Sequence, residues 1–360
     1  MGRECDRFGV ELSNYKKGVS LVLTDYSRAW DHTSPEQVIE YGPLDIIWKL
    51  VRYSGADISR SVFFALSGFP TFFFYNRDKF WVFDALRDRV IQRGLAITGF
   101  EMESFEPESL EDAIAFMDKY IGLAIPIYAS WFEPILIYGL EGHVEHPAIN
   151  WYNPVFAPEG LTWGLDELQN NWWNWSDNPA AKKLTVVRKK KDFQLSKELY
   201  LTTLRDFVNG MEGLDKVDED GTFSGVKAIE AYSADLKDPE VDFTLVDQEK
   251  GLNRVAWIDF AIYSQWTQLI AMRNFIDTGL ELVDGDEDLD ASSEFLMQAI
   301  YHWSEWEEKI GRLSDEDLFM RRIANMQIRF HAASSVDRSI DALKMALDSI
   351  NKYFAKTKEV

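Results

Sequence analysis

Residues 41–55 read YGPLDIIWKLVRYSG, and the reading of this stretch decides the fold. Leu44, Ile47, Trp48 and Val51 recur at the spacing that lines one side of a helix. Asp45 places an acid one turn in, where the helix dipole favours it. Gly55 supplies a stop. The spacing therefore predicts a helix that opens at Gly42–Pro43 and closes at Gly55.

Working outward, residues 61–75, SVFFALSGFPTFFFY, are apolar and rich in Phe, and Gly68 and Pro70 break the run. Residues 109–122, SLEDAIAFMDKYIG, form an amphipathic pattern with Ser109 as N-cap and Asp112 three residues on, close to a capping box. AIPIYASW (124–131) and EPILIYGLEG (133–142) read as buried strands, and HPAINWYNP (146–154) as a third that runs into a turn at Asn153–Pro154. GLTWGLDELQNNWWNW (160–175) reads as a short helix. KKLTVVRKKKDF (182–193) reads as a closing strand with a solvated basic run. From about residue 195 the pattern is helical throughout, in five long segments separated by acidic loops such as VDEDGT and DGDEDLD. The expected fold class is α+β: a small antiparallel sheet with helices over residues 1–192, then an all-α domain over residues 193–360. No solenoid-type repeat is present.

Composition fits this. The chain has 360 residues, 46% of them hydrophobic and 14% aromatic, enough to build two cores. The formal charge is −22, from 60 acidic against 38 basic residues. Such a field repels phosphate backbones and anionic membrane surfaces, so neither nucleic acid nor membrane is expected as a partner, whereas a polycationic small molecule would be concentrated by it. The one cysteine, Cys5, excludes an intramolecular disulfide and a cysteine-ligated zinc site. There is no signal-peptide stretch and no transmembrane run, Cys5 and Asp6 leave no Ser or Thr where a myristoylation motif needs one, and a cytoplasmic location is expected.

The candidates for chemistry are few. His143, Glu145 and His146 sit together in GHVEHP, but on extended backbone the two histidines point to opposite sides, so no metal site is expected. The acidic loops miss the EF-hand pattern: Lys216 and Lys227 occupy ligand positions in the first, and Leu280 in the second. Trp163, Trp172, Trp173 and Trp175 would stack on a sugar or hold a cation, or else pack in the core. Trp172 and Trp173 are adjacent, so on a helix one packs inward and the other faces away. Arg273 lies on an apolar helix and needs an acid or an anionic ligand if buried. No cofactor is expected, because there is no glycine-rich phosphate loop and no serine nucleophile elbow.

Taken together, these segments resemble the N-terminal domain of the butirosin-biosynthesis protein H family and, more distantly, the papain-like cysteine peptidases that process bacteriocins. GPLDIIWKLVRYSG is similar to the helix that carries the family's cysteine, ADISRSVFFALSGFPTFFFY to the segment after it, and EPILIYGLEG…AINWYNP to the strand pair that brings in the histidine and then Asp or Asn before proline. The helical half is similar to the family's companion domain. The resemblance implies a papain-like N-terminal domain and amide-forming acyl transfer from a carrier-bound acyl group to an amine. Carried over residue by residue, however, the nucleophile position falls at Gly42, or at Tyr41 or Pro43 one residue either way. The histidine position falls at Glu133, and only Asn153 matches. A thiolate mechanism then has neither nucleophile nor imidazole.

The expectation that follows is a degenerate member that binds a small cationic amine or a peptide between its domains without thiol chemistry. Glu133, Asn153 and Asp45 are its candidate catalytic residues; Tyr41, Gly42, Tyr152, Trp131 and Arg273 are its candidate ligand-binding residues. Two alternatives stand beside it. One is an active acyltransferase with Glu133 as base and an acyl-carrier partner. The other is an assembly protein, a homodimer joined through the helical half.

Overall fold

A computed structural model of the chain describes residues 21–22, 42–78, 84–131, 134–142, 147–153, 157–177, 179–213, 221–247, 252–311 and 316–357. In chain order these form β1 (Leu21–Val22), α1 (Gly42–Tyr53), α2 (Arg60–Ser67), β2 (Phe74–Tyr75), α3 (Asp84–Thr98), β3 (Phe100–Phe105), α4 (Leu110–Ile121), β4 (Ile127–Ala129), β5 (Ile135–Glu141), β6 (Ala148–Asn153), β7 (Ala157–Trp163) and α5 (Leu165–Glu167), which runs on into a π turn (Leu168–Trp173). Then come β8 (Leu184–Lys189), α6 (Lys197–Met211), β9 (Phe223–Ser224), α7 (Gly225–Lys237), β10 (Val246–Asp247), β11 (Leu252–Asn253), α8 (Arg254–Gly279), α9 (Glu287–Ile310), α10 (Glu316–Ala324) and α11 (Met326–Thr357). The fold is α+β.

The chain divides into two units, 1–58 with 91–193, and 59–90 with 194–360. In place of the single division after residue 192 read from the sequence, the backbone crosses three times. The Phe-rich segment belongs with the helical unit. Local periodicity carries no trace of this, because the contacts that decide it are long-range.

The first unit is built on one antiparallel sheet, in the order β3-β8-β4-β5-β6-β7, with β1 beside β5. Alternation along β5 and β6 gives the sheet two different faces. Leu136 lies directly opposite Tyr152 on one of them. The other presents Ile135, Ile137 and Trp151, which share a core with Leu110, Ala113, Met117, Tyr120 and Ile121 of α4. Ser109 caps α4 as expected, its hydroxyl accepting from the Asp112 N–H at 3.1 Å. α1 packs on the sheet at β4 and β8. It ends as read from the sequence: Gly55 takes φ +89°, and the Ala56 N–H reaches back to the Val51 carbonyl. α1 is not amphipathic, though. Ile46 and Leu50 are as buried as Leu44 and Val51.

Two strands of this sheet correct the sequence reading. β7 occupies residues read as the beginning of a helix. Pro158 and Gly160 weaken its strand signal, and an edge strand tolerates both. β3 was not read at all, since FEMESF alternates acids with apolar residues. Its acids meet the basic run on β8, Glu103 with Arg188 at 2.7 Å and Glu101 with Lys190 at 2.5 Å, so that run is paired across strands.

The second unit is helical except for two short strand pairs, β2 with β9 and β10 with β11, which correct the all-α expectation. Its core gathers Phe73, Tyr232, Phe243, Trp303 and Trp306, with ring centroids 6.2–6.4 Å apart. Buried Arg329 of α11 closes the end of α7 by donating to the carbonyls of Asp235, Leu236, Asp238 and Val241.

Candidate functional site

Three of the residues singled out from the sequence converge where α1 meets β6. Gly42 is the first residue of α1. Asp45, one turn on, is buried, and so is Lys49 one turn after it; their side chains are each 2% exposed, with Nζ 3.1 Å from Oδ2. The Lys49 ammonium donates to the Tyr152 hydroxyl at 2.5 Å and stands 3.9 Å from the centre of that ring. The Tyr152 hydroxyl in turn lies 3.4 Å from Asp45 Oδ2. A cation, an anion and a phenol thus share one buried point, which a low-dielectric interior tolerates only when the charges are paired.

Asn153, fully buried, ends β6. Its amide donates to the Pro134 carbonyl at 2.9 Å, which ties it to the entrance of β5. Asn153 therefore sits beside the chain segment that leads from Trp131 into β5. Glu133 falls in that segment but outside the described residues, as does Tyr41 before α1. Trp131 is held by its ring N–H on the Asn171 carbonyl at 2.7 Å and by edge contacts with Trp151 and Trp163. No family model matches this chain, and no curated protein matches it. Arg273 lies in the other unit, on α8, with its guanidinium 3.4 Å from Asp277 one turn further along the same helix. It is not brought to Asp45 by the fold of the first unit.

Lys49 is the site residue that sequence reasoning missed. Its signal was there: a lysine inside the apolar run DIIWKLV, four residues after an acid, is a charge that the helix must bury and pair. His143, Glu145 and His146 lie outside the described residues. Among the described residues there is no group of three or more His, Cys, Asp or Glu able to hold a metal, and no helix long and apolar enough to cross a membrane. Of the tryptophans, Trp172 is buried with its N–H on the Ser130 carbonyl, and Trp173 is half-buried beneath the Lys182 ammonium at 4.4 Å.

What this arrangement can do chemically is limited. An asparagine amide already engaged with a backbone carbonyl orients a neighbour but does not attack or transfer a proton. The Asp45–Lys49–Tyr152 group is almost wholly buried, which suits fixing α1 to the sheet.

Proposed function

We propose that the chain is a degenerate papain-like protein of the butirosin-protein-H type, which binds a small cationic amine or a cationic peptide at the start of α1 without thiol catalysis. The observation that carries this reading is Gly42 as the first residue of α1, on a helix whose next two turns are tied to β6 through Lys49 and Tyr152. In the resemblance this is the nucleophile position, and glycine has no side chain to offer. Two features support the binding half: the −22 charge, which concentrates cations, and the placing of Asn153 against Pro134, next to the glutamate that replaces the family's histidine.

The test uses the full chain with an acyl thioester, and with spermine as the cationic probe. Thiol release is expected to show no stoichiometric burst, and Cys5→Ser is expected to behave as the natural chain. Spermine is expected to bind with Glu133→Gln weakening it about tenfold, the loss of one ionic contact. A burst that Glu133→Gln abolishes would establish acyl transfer instead. Absence of saturable spermine binding would remove the binding half.

A further inference from the structure

The segment from Gly164 to Asp177 carries exposed groups that the α1 site does not use. Between Gly164 and Ala181 there is no Lys, Arg or His, whereas Asp166, Asn170, Asn174 and Asp177 are all exposed. Trp175 leaves 49% of its surface open, against 1% for Trp172. The other two indoles of the segment are committed, Trp172 to the core and Trp173 to Lys182.

The π turn sets the geometry. The Asn174 N–H reaches the Gln169 carbonyl at 2.9 Å, five residues back, and the Gln169 amide donates to Asn174 Oδ1 at 3.1 Å. Positions five apart therefore follow one another along this edge, where an α-helix would turn them away from each other. By that offset Asn170 stands one turn before Trp175, and Asp166 one α turn before Asn170. An open indole is thus flanked by a carboxylate and two carboxamides, one of them held in place by Gln169.

We propose that this face binds a neutral pyranose ring. The C–H face of the sugar would lie on the Trp175 indole. Adjacent hydroxyls would donate to the Asp166 carboxylate and exchange hydrogen bonds with the Asn170 and Asn174 amides, planar groups that match vicinal diols. Charge selects against acidic sugars, because the only nearby ammonium is spent on Trp173 and Asp166 repels a carboxylate or sulfate. This site is separate from the one at α1 and does not depend on the reading given there.

The test titrates the full chain calorimetrically with cellohexaose and maltohexaose, with oligogalacturonate as the acidic counterpart. At least one neutral oligomer is expected to saturate with Kd near or below about 1 mM, and Trp175→Ala to weaken it about tenfold or more. Trp175→Ala removes a half-exposed ring, so its melting temperature should match the natural chain, and Asp166→Asn with Asn170→Ala gives a second variant that leaves the core untouched. The proposal falls if neither neutral oligomer saturates, if both variants bind as the natural chain does, or if oligogalacturonate binds equally well.

Discussion

At the scale of single residues, Lys49 decides how α1 is held. Its ammonium has a carboxylate at 3.1 Å and a phenol at 2.5 Å in a nearly dry interior. Lys49→Met keeps the apolar stem but strands the Asp45 carboxylate, and it should cost roughly 3–5 kcal/mol. Asp45→Asn combined with Lys49→Met removes the whole ion pair and should recover at least about half of that loss, because matched removal of a buried pair is cheap. Urea unfolding of the two variants checks this. Equal destabilisation in both would mean that Tyr152, and not Asp45, is the partner that matters. Asn153 offers a second case. Replacing it with Asp turns the donor facing the Pro134 carbonyl into an acceptor, and a loss of about 2 kcal/mol is expected, visible as a lowered urea midpoint with an unchanged slope. Asp45, Tyr152 and Asn153 were legible in the sequence as polar groups in apolar surroundings. Their mutual contacts were not, since they join residues about a hundred positions apart.

At the scale of elements, Arg329 does for α7 what a glycine cap does elsewhere. Its four backbone acceptors include carbonyls at the helix end and in the turn after it, and burial pulls its pKa down from the ordinary arginine range while leaving it charged at any working pH. Arg329→Met is therefore expected to lose roughly 3–5 kcal/mol and to open the amides of residues 235–243 to hydrogen exchange before the rest of the unit. Uniform loss of protection across the unit would instead make Arg329 part of the global core. Elements with strong local signals were legible: α1 by its Gly55 stop, α4 by its Ser109 cap, β5 and β6 by continuous apolar runs. Those that depend on a partner were not. β7 carries Pro158 and Gly160 and is a strand because β6 pairs with it, and Phe223–Ser224 becomes one only through Phe74–Tyr75. Gly225 shows the same dependence from the other side. It takes φ +59°, and a Cβ there would lie 2.4 Å from the Met211 carbonyl oxygen, a closeness set by α6 and absent from the local pattern.

At the scale of the whole molecule, two charge effects oppose each other as pH falls. The −22 formal charge is self-repelling near neutrality, so partial protonation of unpaired carboxylates stabilises the fold at first, as added salt also should. Carboxylates held by partners act the other way. Glu305 on α9 accepts from Arg338 of α11 at 2.6 Å and contacts His302 at 2.8 Å, and these bonds, Arg338 first, pull its pKa from 4.5 down to about 2. A carboxyl whose folded value is depressed contributes stability that is complete above its unfolded value and fades as pH falls through the folded one. Glu305 therefore stabilises the α9–α11 contact fully above about pH 5 and loses its contribution between about pH 4.5 and 2. Asp238, held first by the Glu240 N–H and then by Arg77, and Asp242, held by Thr244, are shifted in the same direction. Since Glu305 is a quarter exposed, solvent screening limits its share to about 1 kcal/mol. The melting temperature should thus rise slightly from pH 7 to about pH 5 and then fall steeply, because below pH 4.5 most of the repulsion has already gone while the paired carboxylates are still being lost. Glu305→Gln should melt below the natural chain at pH 6, and the gap should close by about pH 2.5. A gap that stays constant down to pH 2.5 would show that Glu305 contributes packing alone.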